Sequence, residues 1–122
     1  MNYTISPSDD GTYIILKFTG EISRHTSMEH ILEAHALGKK LGSNGFLLDL
    51  TEATNIDSTT DQYEFVHRDM LKSEDVDTYA RVAVLVQPED NSHDFIETVF
   101  RNVGFNLRLF QNRAEALKFL TG

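Results

Sequence analysis

The hydroxyl at Ser58 sits in the run Asp57-Ser58-Thr59-Thr60-Asp61-Gln62, just ahead of a stretch with helical spacing. A serine at a helix start has two chemical uses. Its oxygen can accept a hydrogen bond from a free backbone amide, as an ordinary N-terminal cap. It can also carry a phosphate, because the same amides and the helix dipole favour an anion. Asp57 and Asp61 flank the hydroxyl and would repel that phosphate, so the residues alone leave both uses open. A second group comprises Asp49, Glu52, Asp57, Glu89, Asp90 and His93. All of these follow the carboxyl ends of predicted strands, the edge where parallel α/β folds place their sites. Carboxylates beside a histidine can hold Mg²⁺ or move a proton. Carboxylates are also common in such loops as helix caps. Asp49 interrupts an apolar strand, and a hydrogen bond to the next loop's amides accounts for it equally well.

Other chemistries are excluded by what the chain lacks. There are no cysteines, so disulfides, thiolate zinc sites and thiol catalysis fall away together. The histidines at 25, 30, 35, 67 and 93 make no i, i+4 pair, and no HExxH pattern occurs. GxSxG, GxxxxGK and GxGxxG are absent as well. No metal centre and no cofactor are expected. The strongest remaining feature is charge: between Glu52 and Asp77 lie eight carboxylates and two basic residues, a net of −6 in a chain of formal charge −8. Such a stretch is either a solvated acidic face or a docking surface for a basic partner. Asp61, Glu64, Phe65 and Arg68 are the candidate partner-facing residues. Tyr63 and Phe65 are the apolar anchors, and of the two Tyr63 fits a core position better.

The elements that position these residues follow from periodicity and turn chemistry. Tyr3–Ser6 and Tyr13–Thr19 are β-rich runs separated by the turn cluster Pro7-Ser8-Asp9-Asp10-Gly11, which predicts a hairpin. Thr26-Ser27-Met28-Glu29 has the form of a capping box, and an apolar stripe from Met28 to Leu41 predicts a helix closed by Gly42. Gly45–Leu50 reads as a buried strand, followed by a loop from Thr51 to Ser58. Thr59-Thr60-Asp61-Gln62 opens a second helix with Tyr63, Val66 and Met70 on one face. Val82–Val86 is apolar and β-branched and predicts the central strand, ended by Pro88. Phe95, Ile96, Val99, Phe100 and Val103 form a third helical stripe, with Gly104 at its end. Leu107–Phe110 is a last strand, and Asn112-Arg113-Ala114-Glu115 caps a final helix. The expected fold is α/β: one mixed, mostly parallel five-stranded sheet with about four helices, in the order ββαβαβαβα.

Size and composition agree with one domain. The chain has 122 residues, 40% hydrophobic and 25% charged, with seven glycines and two prolines. That composition suits a compact globular domain and neither a disordered nor a fibrous chain. The negative balance disfavours nucleic acid and anionic membranes. With no long apolar run and no basic-then-apolar amino terminus, neither a membrane span nor a secretory signal is expected, and a cytoplasmic location is the default.

Two blocks of sequence carry a family resemblance. Leu16-Lys17-Phe18-Thr19-Gly20-Glu21-Ile22-Ser23 resembles the second-strand signature of STAS domains, the SpoIIAA-like fold of bacterial anti-sigma-factor antagonists. Phe46 to Thr60 is similar to the strand, loop and Asp-Ser-Ser/Thr-Gly turn of those antagonists. Asp57 and Ser58 match the Asp-Ser pair, Thr59 the small hydroxyl residue, and Thr60 stands where glycine is usual. The resemblance implies sequential strand order and Ser58 as the phosphorylated switch of a non-enzymatic regulatory module. Its implied partner is a protein, which here would present a basic surface; pairing of two copies is compatible with it. Lipid-binding Sec14-type domains are grouped with STAS, which implies the alternative of a carrier for a small apolar or lipid-like ligand. That alternative requires a cavity of at least roughly 300 Å³ near Tyr63, Val66, Phe95 and Val99. Asp49, Glu52, Asp90 and His93 form the possible ligand edge.

Overall fold

The computed structural model describes residues 2–122. Five strands form one sheet in the order β1-β2-β3-β4-β5. They are β1 (Asn2–Pro7), β2 (Ile14–Ile22), β3 (Gly45–Asn55), β4 (Arg81–Leu85) and β5 (Asn106–Phe110). β1 runs antiparallel to β2, and the other pairings are parallel. The helices are α1 (Arg24–Leu41), α2 (Thr59–Glu64), α3 (Asp94–Asn102) and α4 (Arg113–Thr121). α2 runs directly into a π-helical segment, Phe65–Met70.

Sequential order explains the layers. Each right-handed crossover steps the same way along the sheet, so α1, α2 with its π-helical continuation, and α3 all land on one face. That face carries the main core, with Ile14, Leu16 and Phe18 from β2, Phe46 and Leu50 from β3, Val84 from β4 and Leu107 from β5. The period-2 alternation of the strands sends Leu47, Ala83 and Leu85 to the other face, against Ala116 of α4. Both faces of the parallel strands are thereby covered, as their continuous apolar runs require.

Several boundaries and roles differ from the sequence reading. The central strand is β3, while Val82–Leu85 lies in β4, next to the β5 edge. β3 continues five residues past Leu50 because Thr19–Ile22 of β2 pairs with Glu52–Asn55, after a register shift between Lys17 and Thr19. The segment from Thr51 to Asn55 is therefore strand. Helix α1 starts at Arg24 with Ser23 as its cap, and Thr26 occupies the third helical position, its hydroxyl accepting from the Ser23 amide at 3.3 Å. The sequence pattern places the cap three residues later, at Thr26, because serine and threonine are both good caps. At the other end Gly42 takes φ +74° and closes α1 through Gly38.

Candidate functional site

The carboxyl edge of the parallel strands is formed by three segments: the end of β3 with the loop to α2, the first turn of α1, and the loop from β4 to α3. Ser58 is the N-cap of α2, and its Oγ accepts from the Asp61 amide at 3.1 Å. The side chain is otherwise at the surface, as are Thr59 and Thr60. Asp57, one residue earlier, faces inward. Its Oδ2 accepts from the Arg24 amide at 2.6 Å, capping a free donor at the amino end of α1, and its carbonyl accepts from Gln62 Nε2 at 3.0 Å. Burial pushes the Asp57 carboxyl above its ordinary value, and Asp61 adds to this, against the Arg24 amide, which pulls it down.

Arg24 ties this loop to the helix beyond it. Nε and Nη2 reach the two oxygens of Asp69 at 2.8 and 3.2 Å, while Nη1 reaches Glu64 Oε2 at 2.6 Å. On an α-helix of 3.6 residues per turn, positions five apart diverge by roughly 140°. The π-helical segment bonds i to i+5, as in Leu71 N–H to Val66 O at 2.9 Å. Its wider turn brings residues about five apart onto one face, so one guanidinium reaches both Glu64 and Asp69. Hydrogen bonds to Asp69 first and Glu64 second hold Arg24 still more firmly protonated than usual.

The third segment is organised around a buried histidine. His93 is 1% exposed, and its Nε2 lies 3.2 Å from the Ala53 carbonyl and 3.4 Å from Asp90 Oδ2. Asp90 also accepts from the Ser92 amide at 2.9 Å, and Ser92 Oγ accepts from the Asn55 amide at 3.1 Å. Burial alone would raise the Asp90 carboxyl, but the Ser92 hydrogen bonds together with His93 outweigh it and hold the group low.

The predicted ligand edge is not one cluster. Asp49 lies within β3 on the α4 face, where its Oδ1 accepts from the Thr51 amide and hydroxyl at 3.0 and 2.7 Å. Glu52 pairs with Lys17 of β2. Asp90 and His93 stand together at the carboxyl edge, apart from both. Among the described residues no group of three or more His, Asp or Glu is arranged to hold a metal ion.

The partner-facing group also divides. Arg68 is exposed and Asp61 half-buried, but Glu64 is held by Arg24, and Phe65 is buried at 6% exposure. Phe65 packs edge-on against Phe100, their ring centroids 6.3 Å apart. Tyr63 is the exposed aromatic, at 51%, stacked on His67. The assignment of Tyr63 to the core and Phe65 to the surface is thus reversed, since a 3.6-residue period misplaces faces where the turn widens. Ile56, 55% exposed two residues before Ser58, was missed. Its signal was a lone apolar residue within a polar loop.

Between the sheet and the helices of the main core runs an apolar cavity of about 110 Å³, lined by residues from Phe46 and Val76 at one end to Asn55 and His93 at the other. Tyr63, Val66, Phe95 and Val99 do not line it. The volume falls below the roughly 300 Å³ of ordinary small-molecule pockets, so a lipid-sized cargo has no room there.

No sequence-family description and no curated protein matches the chain. Solved structures do. An uncharacterised Shewanella loihica protein of the DUF3478 family, described as having a SpoIIAA-like fold, superposes with a TM-score of 0.57 at 20% identity, covering 98% of this chain and 92% of that one. The anti-sigma factor antagonist SpoIIAA in its unphosphorylated form superposes with a TM-score of 0.56 at 15% identity, covering 99% of both chains. The chain has the SpoIIAA-like fold, as the resemblance of its strand and loop blocks implied.

Proposed function

We propose that this protein is a non-enzymatic regulatory module that docks a basic protein surface through the Ile56–Ser58 loop and α2, with Ser58 as the position where phosphorylation would control docking. The observation that carries the reading is the exposure of Ile56 and Tyr63 on either side of the exposed Ser58 hydroxyl, beside Asp61. Two apolar anchors within an acidic rim suit a partner that presents a hydrophobic pocket ringed by lysine or arginine. Support also comes from the fold, shared with a protein described as an anti-sigma factor antagonist. Backbone rigidity around the loop favours docking with little ordering cost, because Asp57 and Arg24 tie it to α1.

A phosphate on Ser58 would add about −1.5 to −2 charges beside Asp61. It would displace the cap from the Asp61 amide while remaining at the helix amino end, where the dipole favours it. The test is affinity capture from cell extract with the parent chain, Ile56→Asp, Tyr63→Ala, Ser58→Ala and Ser58→Asp, each confirmed folded by circular dichroism. Loss of one protein partner with Ile56→Asp and Tyr63→Ala is expected, together with altered recovery for Ser58→Asp. Equal recovery with all five chains overturns the docking surface. Changed recovery for the anchor variants, with no effect of Ser58→Asp and no phosphopeptide from cell-purified protein, leaves the surface in place and removes the switch.

A further inference from the structure

We infer that the free edge of β1 pairs with β1 of a second copy, antiparallel across a two-fold axis at Thr4, and so joins two five-stranded sheets into one. The hydrogen-bonding pattern of β1 is set by its hairpin. The Ser8 amide donates to the Tyr13 carbonyl at 2.8 Å, and the register runs on from there with Ser6 opposite Ile15 and Thr4 opposite Lys17. Bonded and non-bonded pairs alternate along an antiparallel ladder, so Thr4 and Ser6 turn their backbone groups toward β2, while Tyr3, Ile5 and Pro7 turn theirs outward. Pro7 has no amide, and an outward position is where an edge strand tolerates proline. Among the described residues no further strand pairs with β1, which leaves the amides and carbonyls of Tyr3 and Ile5 open at the sheet edge.

The two edges of the sheet are built differently. On β5 the outward amide of Leu109 is taken by Glu97 Oε2 at 2.7 Å, and Arg108 sets a charge in the middle of the strand. Charges and engaged amides of this kind keep an edge from pairing. β1 has neither. Asn2–Pro7 carries no charged side chain, so two copies of a chain of net charge −8 meet there without setting like charges opposite one another. Tyr3 is fixed beforehand, its ring stacked on His30 at 3.6 Å and its hydroxyl donating to Glu33 at 3.0 Å. The register follows from the open groups. With Thr4 opposite Thr4 of the second copy, Tyr3 of each chain exchanges both of its backbone hydrogen bonds with Ile5 of the other, and every open amide and carbonyl of these residues is used. A shift that set Tyr3 opposite Pro7 would strand the Tyr3 carbonyl for want of an amide. On the α1 face Tyr3 then lies beside Ile5, an aromatic and β-branched pair, and on the other face the two threonines meet. Because β5 is blocked, a contact from β1 to β5 cannot repeat from copy to copy, and the assembly closes at two chains. The axis sends the two Ser58 loops to opposite ends of the joined sheet.

Sedimentation velocity of the full chain over a concentration series tests the pairing. The parent should show a concentration-dependent equilibrium between monomer and dimer. Thr4 is exposed, and Thr4→Glu sets two carboxylates face to face across the axis, so this variant should remain monomeric. Thr4→Val, uncharged and still β-branched, should dimerise as the parent does, and circular dichroism confirms that both variants fold. The position of the axis has its own test, because the chain has no cysteine. Opposite side chains of a non-bonded antiparallel pair approach to about 4.5 Å between Cβ atoms, within disulfide reach. Mild oxidation should therefore cross-link Thr4→Cys about tenfold faster than Arg108→Cys on the blocked edge. A parent that stays monomeric at every concentration overturns the pairing of two copies and leaves the edge to a strand of another protein. A dimer that survives Thr4→Glu, or equal cross-linking of the two cysteine variants, puts the association elsewhere on the surface and overturns it as well.

Discussion

Asp57 and Asp90 sit at the same edge of the sheet, and burial raises both carboxyls, yet their net shifts run in opposite directions because only Asp90 has hydrogen bonds enough to outweigh it. Asp57 accepts a single close backbone amide while facing Asp61, and its carboxyl is raised. A raised folded-state value means that protonation favours the fold. The contribution is fully present below the unfolded value near 3.8 and is lost as pH rises through the higher folded value. At neutral pH the ionised Asp57 therefore works against the fold in which it caps α1. Asp57→Asn keeps an oxygen for the Arg24 amide, and urea melts at pH 7 should show this variant at least as stable as the parent. Asp90 has the reverse sign. Its lowered value contributes stability above about 3.8 that is lost as pH falls through the folded value. Asp90→Asn should lower the urea midpoint at pH 7, and its gap to the parent should narrow as pH falls from about 3.8 through the lowered folded value. Arg24 supplies the other residue-scale test, since its planar fork fits Asp69 through two nitrogens and Glu64 through a third. Arg24→Ala should lower the urea midpoint. Arg24→Lys should recover less than half of the loss, because an ammonium cannot span the same three oxygens.

The helical segment from Thr59 to Met70 shows where sequence periodicity succeeds and where it stops. Capping chemistry is local, and the helix start next to Ser58 was legible within one residue from the run of hydroxyl and acidic side chains. The widening of the turn at Phe65 is imposed by tertiary contacts, with Arg24 on one side and the Phe100 ring on another, and no local pattern announces it. Element order was legible because apolar runs, turn residues and caps agree with one another, whereas sequential strand order was implied only by the family resemblance. The end of β3 was not legible, since Thr51–Asn55 is polar and becomes strand only by pairing with β2. The sequence places His93 with Asp90 at the possible ligand edge, whereas it is a buried side chain that faces Asp90 and the carbonyl of Ala53, 40 positions away. The reversal of Tyr63 and Phe65 gives a direct test. Phe65→Ala should cost about 3 to 5 kcal/mol, as for a buried aromatic ring. Tyr63→Ala should stay within about 1 kcal/mol, and Ser58→Ala should cost about 1 kcal/mol through the lost cap. Chemical denaturation of the three variants checks all of these values.

Seen across the whole molecule, the acid is less free than the sequence suggested. Arg24 engages Glu64 and Asp69, and Lys17 engages Glu52, which leaves Asp57, Asp61, Glu74, Asp75 and Asp77 as the exposed or half-exposed share of the Glu52–Asp77 stretch without an ion-pair partner among the described residues. Docking to a basic partner should weaken only moderately between low and physiological salt, with the apolar anchors supplying the remainder. The agreement between chain order and strand order has a further consequence, for the time course of folding. Every strand pairs with the one synthesised just before it, so an emerging chain can add each new βα unit to a template already present. Loop closure is confined to neighbouring units, which favours rapid folding for a mostly parallel sheet. The longest ladder joins β2 to β3 around the α1 crossover, and α4 completes the opposite face last. Ile14→Val should accordingly slow refolding, whereas Ala116→Gly should leave the refolding rate nearly unchanged and speed unfolding, as read from the two arms of a stopped-flow chevron. A ribosome-bound chain that has emerged past Ser58 would then already hold the strand pair that presents the Ser58 loop, before His93 and α3 have been made.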